Sequence, residues 1–319
     1  MKTSAILRLC AWVVIALLAL GMLSKGAPGI NLPLTHSAAR QDIRTPLQGE
    51  SARVTDRVSK VHIAWVSGAV NVYFTEGNAI EYAETASRTL RDSEKLNSRL
   101  SGDTLTIEFT KAKRITSDFS KTLDVYIPES MSLRSLNISG VSNTTAVYGG
   151  KRASVSDVTV ASVSGGITLE HMNANTVNIE TVSGGASLSG VCERFQINTV
   201  SGDGRVSLTQ MPKAIQGNSV SGSLTITIPE NDGFTAKLTS LSGSIHSDFG
   251  EGSGAKNLVY KDGGATIQLS SISASITIHR GAAPDVPRET PASQERREQP
   301  KPAQTDEPNQ SVPSTLRTF

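Results

Sequence analysis

Four aspartates, Asp157, Asp203, Asp232 and Asp248, and a long series of serines are the residues of this chain best suited to carry chemistry. Clustered acids on one face could cleave sugar chains, either as an acid–base pair or as calcium ligands beside a basic residue. These four aspartates fall at different phases of the surrounding sequence, so they are expected to be solvated surface carboxylates. The step Ser201-Gly202-Asp203-Gly204 occurs once and is not iterated into a calcium repeat. His36, His62, His171, His246 and His279 are dispersed without metal-ligand spacing. His62, ahead of Trp65 on an alternating segment, suits a surface or cap role. Cys192 has no histidine nearby in the chain to activate it and reads as a small buried filler. The glycine-rich steps are not followed by a helix and a lysine, so a phosphate cradle is unsupported. Asn137-Ile138-Ser139 and Asn143-Thr144-Thr145 match the glycosylation sequon and are read as chance in a Ser/Thr-rich chain. No catalytic residue, cofactor or metal is expected.

The serines are better explained by repetition. Val163-Ser164-Gly165 recurs as Val182-Ser183-Gly184, Val200-Ser201-Gly202 and Val220-Ser221-Gly222, and continues as Leu241-Ser242-Gly243, in steps of 19, 18, 20 and 21 residues. Degenerate copies stand at Val141-Ser142-Asn143 and Ile272-Ser273-Ala274, where the glycine is replaced. Those coils are expected to be terminal or distorted. An earlier copy lies at Val66-Ser67-Gly68. A nucleophilic serine needs its own base and oxyanion hole, and a motif present in every repeat cannot be one site. The pairs Ser67/Gly68, Ser164/Gly165, Ser183/Gly184, Ser201/Gly202, Ser221/Gly222 and Ser242/Gly243 are therefore assigned as structural corners. Glycine relieves the backbone at the bend and serine can bond the turn.

An alternating strand flanks each corner on both sides, such as Val177-Asn178-Ile179-Glu180 before and Ile167-Thr168-Leu169 after. Alternation puts Val, Ile and Leu on one face and Asn, Thr and Glu on the other. One coil of about 20 residues cannot bury such a face alone, but stacked coils can. The predicted fold is all-β: a parallel β-solenoid of about 20-residue coils over residues 56–280, with cap-like strands at 56–135 and regular repeats at 136–280. The cap would cover a sheet edge that otherwise invites aggregation. Within it, Ala83 to Leu100 suits either a short helix or a hairpin arm, and Ile228 to Phe234 reads as a longer corner.

The flanks differ in kind. Lys2 and Arg8 precede an apolar run from Leu9 to Leu23. That run is short for a spanning helix and suits a signal sequence. The flank Gly21 to Lys25 has no convincing cleavage site, which favours an uncleaved signal-anchor helix over a cleaved signal peptide. The lipoprotein alternative is weaker, because Leu7-Arg8-Leu9-Cys10 carries a charge where a lipobox wants small residues and stands at the start of the run instead of after it. Residues 1–8 would be cytoplasmic and the bulk extracytoplasmic. Residues 24–55 read as a linker, and residues 281–319, with seven prolines among charged residues, as a disordered tail.

The opening Ile63-Ala64-Trp65-Val66-Ser67-Gly68, the strand end Tyr126-Ile127-Pro128, the serial Ser-Gly corners and the late Gly263 to Ser273 segment together resemble a bacterial "putative adhesin" domain family of unknown function. The resemblance covers about Asp56 to Arg280. It implies a β-solenoid on an envelope protein and supplies no catalytic residues.

Composition narrows the function classes. The 31 basic and 29 acidic residues nearly balance, which argues against a nucleic-acid binder. Aromatics make up only 4% of the chain, less than a globular enzyme usually buries. Three classes stay open. The first is a non-catalytic surface module contacting a glycan, an envelope polymer or a protein, with a stress-sensing component as its variant. The second is a structural, self-assembling solenoid. The third is a carbohydrate-active enzyme. The membrane is an expected partner through the N-terminal run.

Overall fold

The computed structural model describes residues 47–112, 119–250 and 255–281, with side chains described from residue 51 onward. The predicted N-terminal apolar helix and the Pro-rich tail lie outside the described residues. Among the described residues no helix is long and apolar enough to cross a membrane.

The chain forms strands β1 (Leu47–Val54), β2 (Lys60–Thr75), β3 (Ile80–Ala86), β4 (Asn97–Ser101), β5 (Thr104–Glu108), β6 (Lys121–Pro128), β7 (Leu133–Tyr148), β8 (Val155–Ser164) and β9 (Ile167–Ser183). It continues with β10 (Ala186–Ser201), β11 (Gly204–Leu208), β12 (Ala214–Ser221), β13 (Leu224–Ile228), β14 (Gly233–Thr239), β15 (Ile245–Ser247), β16 (Asn257–Lys261), β17 (Ala265–Ser273) and β18 (Ile276–Arg280). The described part is all-β and solenoid-like. Leu47–Val54, inside the stretch read as a linker, is a strand paired antiparallel with β3. The ambiguous stretch from Ala83 to Leu100 resolves into the end of β3 and the start of β4, with no helix.

The Ser-Gly corners divide the strands into two ladders. Strands that run into a corner pair in the order β5, β2, β7, β8, β9, β10, β12, β17, β14, all parallel. Strands that leave a corner pair as β6, β2, β7, β9, β10, β11, β13, β18, β15, again all parallel. The longer strands pass through a corner and belong to both ladders. The return bend on the opposite side is made at His171 in β9 and at Gly190 in β10, both with positive φ. Each coil is therefore two-sided.

The core lies between the ladders. Alternate residues such as Val177, Ile179, Ile197 and Leu224 are almost wholly shielded from solvent, and their columns run from coil to coil. The two inner faces meet closely. A Cβ added at Gly204 would stand 3.0 Å from Ile197 Cδ1 of one ladder and 2.9 Å from Leu224 Cδ1 of the other.

Strand order departs from sequence order at both ends. The first coil in sequence, β2, is second in space, covered by β5 and β6. Beyond them, antiparallel β4 closes one ladder and antiparallel β3 and β1 close the other. At the other end β17 lies between β12 and β14, and β18 lies between β13 and β15. Antiparallel β16 covers β14 at that end, and the short parallel β15 ends the other ladder. Residues 56–135 contain a complete parallel coil, β2, and not a cap alone. The coils carrying Asn143 and Ala274, expected to be terminal or distorted, lie inside the stack. Asn143 fits there because it is buried and folds back over Gly140, with its amide donating to Thr145 Oγ1 at 2.9 Å.

Aromatic clusters fill both ends. Trp65 meets Phe109 edge-on at 5.0 Å and Phe109 stacks on Phe119 at 5.3 Å. At the far end Phe234, Phe249 and Tyr260 pack within 5.6 Å of one another. Large rings seal the ends where no further coil can cover the core.

Candidate functional site: an outward tyrosine row

The corner residues come together in one column. Ser67, Ser142, Ser164, Ser183, Ser201, Ser221, Ser273 and Ser242 pair in that spatial order, one per coil. Stacking is close enough to require the glycines. A Cβ at Gly184 would stand 2.2 Å from Gly165 O, and one at Gly202 would stand 2.1 Å from Gly184 O. The motif valine behaves differently from its neighbours. In Ile179-Glu180-Thr181-Val182, Ile179 and Thr181 point inward and Val182 is half-buried on the outside. Val163, Val200 and Val220 share that outward position. Ser162, Thr181, Thr199 and Ser219 form the hydroxyl column beside the core. The corner is thus hydroxyl in, aliphatic out, serine at the edge and glycine at the close approach. Nothing there resembles a nucleophile with a base.

The four aspartates stay apart. Asp157 lies on the outer face of β8, Asp203 follows a corner, Asp232 sits in the turn after β13 and Asp248 follows β15. Each already has local work or solvent. Asp203 Oδ1 accepts from Ser223 N at 2.9 Å, and Asp248 Oδ2 accepts from Arg280 N at 3.1 Å with His279 Nδ1 also at 3.1 Å. His62, His171, His246 and His279 are exposed and dispersed. No group of three His, Cys, Asp or Glu side chains could hold a metal among the described residues. Cys192 is buried, and that burial pushes its thiol up to about 12.

A different set of residues does converge. Tyr126 of β6, Tyr73 of β2 and Tyr148 of β7 occupy the same register position on three adjacent strands. Their rings stack outside the ladder, Tyr73–Tyr126 at 5.2 Å and Tyr73–Tyr148 at 5.1 Å. They stand outward because Val72, Val125 and Val147 beside them face the core. Asp124 and Asn71 form the neighbouring outward column, with the amide of Asn71 donating to Asp124 Oδ1 at 2.8 Å. Burial and the nearby Asp124 carboxylate raise the Tyr73 phenol above its ordinary value, so it keeps its proton. Tyr126 ends the row and is 42% exposed. It borders an open depression also lined by Arg53 and Glu81, which pair at 3.4 Å. At the other end Tyr148 lies beside Glu170.

The Ser-Gly spacing does not reveal this row, because β6, β2 and β7 are neighbours in space but not in sequence order. The sequence does hold a signal: Asn71-Val72-Tyr73, Asp124-Val125-Tyr126 and Ala146-Val147-Tyr148 share a Val-Tyr step whose valine is buried.

Residues 139–279 match the family described as Toastrack DUF4097. Among solved structures, a "putative adhesin" from Bacteroides fragilis is similar at 12% identity, with 72% of this chain and 96% of that chain covered and a TM-score of 0.43. A "putative adhesin" from Parabacteroides distasonis has 12% identity, the same coverages and a TM-score of 0.42. A "putative lipid binding protein" from the same species has 15% identity, the same coverages and a TM-score of 0.41. No curated protein matches. Over residues 139–279, the strands from β7 to β18 thus match a Toastrack DUF4097 domain.

Proposed function

We propose that this protein is a non-catalytic interaction module held on the outer side of a bacterial membrane. Its N-terminal apolar run would serve as anchor or export signal, and its target would be a glycan, an envelope polymer or a protein. The observation that carries the reading is the Tyr126–Tyr73–Tyr148 row. It is an outward aromatic and hydrogen-bonding surface on a rigid ladder, and exposed aromatic surface of that kind marks binding sites. The run of residues 9–23 behind Lys2 and Arg8 supports the placement. The self-assembling alternative has less support, because end-to-end stacking needs open parallel edges, and antiparallel strands cover both ladders at one end and the β14 ladder at the other.

The test is retention of the full chain, in detergent, on insoluble cell-wall polymer, isolated envelope glycans and host matrix proteins across a salt series. Saturable retention on one fraction supports the module. Retention on none, with concentration-dependent assembly in the same samples, supports the structural reading instead.

A further inference from the structure

We propose that the tyrosine row, with Asp124 and the depression at Arg53 and Glu81, binds an uncharged linear saccharide chain laid along the stacking direction of the coils. The proposal rests on the interaction-module reading and names its ligand class.

Repeat length is the first argument. Neighbouring strands are about 4.8 Å apart, and the rings repeat at 5.2 and 5.1 Å. One pyranose unit is of similar length, so a linear chain can present one sugar to each coil without losing register. Hydrogen bonding is the second. Each phenol hydroxyl both donates and accepts, as sugar hydroxyls do. The Asp124–Asn71 pair adds a carboxylate and an amide within the adjacent column. The exposed Tyr126 ring borders the depression, where the apolar face of a terminal sugar can lie against it.

Charge selects among saccharides. Glu81, Asp124 and Glu170 stand around the row with Arg53 as the opposing cation. An acidic polymer would meet a negative surface, and an uncharged one would not. A peptide is less well served, because peptide hot spots seat side chains in desolvated pockets and this depression is open. Tyrosine has only two side-chain torsions, and these rings are already stacked, so little entropy is lost on binding.

The experiment is calorimetric titration of the full chain in detergent with cellohexaose, chitohexaose and an oligogalacturonate. The expected result is saturable binding of at least one neutral oligomer, with the acidic one far weaker. Tyr126→Ala should weaken binding about three- to tenfold with an unchanged melting curve. Arg53→Ala, a change at an exposed residue, is the second variant and should also weaken it. Tyr260→Ala, at the opposite end of the stack, should leave it unchanged. The proposal is overturned if neither neutral oligomer binds, if both site variants bind like the parent, or if the oligogalacturonate binds best. Retention on an envelope or matrix protein without neutral-oligomer binding overturns the saccharide while the module reading stands. Retention on nothing removes both.

Discussion

Lys121 and Glu84 meet inside the N-terminal end of the stack, Nζ 2.5 Å from Oε2, with neither side chain exposed to solvent. The ammonium also donates to Glu94 O at 2.9 Å and to Phe109 O, and lies 4.4 Å from the Phe109 ring centre and 5.0 Å from that of Trp65. Leu96 N donates to the second Glu84 oxygen at 2.9 Å. Desolvation lowers the Lys121 pKa although Glu84 opposes it. Removing one partner should leave a buried charge without compensation. Glu84→Ala is expected to destabilise the protein by about 3–5 kcal/mol, whereas joint Glu84→Leu and Lys121→Met removes both charges and should cost less, about 1–3 kcal/mol, for the backbone groups of Leu96, Glu94 and Phe109 that lose their partners. Urea unfolding followed by Trp65 fluorescence, in a Trp12→Phe background, measures both. A small effect of Glu84→Ala would show that the pair is not locked in.

The corner column separates two roles in one motif. Gly184 has φ of 135° and no room for a Cβ, while Ser183 is exposed. Gly184→Ala should cost about 1–3 kcal/mol from backbone strain alone, with the clash against Gly165 added. Ser183→Ala should stay within about 0.5 kcal/mol of the parent. Paired thermal melts decide the matter, and equal effects would contradict the geometry.

Acid should loosen the C-terminal end. Lys261, then Tyr260, hydrogen-bond Glu230 and bring its carboxyl down from 4.5 to about 2. A lowered carboxylate contributes stability above its unfolded value. That contribution is lost as pH falls through the window from 4.5 to about 2. Asp248, Asp103 and Glu193 are lowered in the same sense. Melting temperature should therefore drop with acidification across that range, and Glu230→Gln should show a shallower drop. A variant curve parallel to the parent's would refute the assignment.

Cys192 should be silent in the native protein. Its thiol is buried and pushed up to about 12, so little thiolate exists at neutral pH. Maleimide should label it only after denaturant is added. Rapid native labelling, read by mass spectrometry with Cys10 replaced by Ser, would show that the stack opens locally.

Much of this architecture is legible in the residues. The spacing of Val163, Val182, Val200 and Val220 gives the coil length, and the glycines mark where coils approach most closely. Alternation also predicts the core, apart from the inward Ser162, Thr181, Thr199 and Ser219, whose hydroxyls give no hint that they face the interior. Strand order is less accessible. A parallel strand can dock on any coil that offers the matching pattern, so nothing local in Ala265–Ser273 says that it enters between β12 and β14. The tyrosine row depends on that kind of long-range pairing: Tyr73 touches Tyr126 and Tyr148 only because β2 lies between β6 and β7. Lys121 gives no sign of burial in sequence either, since a lysine in a strand is usually exposed.

The inward placement of the last coil bears on how this protein would carry tension. A pull on the C-terminal extension reaches the stack at β18, which is bonded on one side to β13 and on the other to β15. The load cannot peel an outermost strand one hydrogen bond at a time. It must slide β18 along both neighbours, so that many bonds share the force and fail together. A protein tugged by its tail would thus be gripped within its fabric, with its loose hem left unstressed.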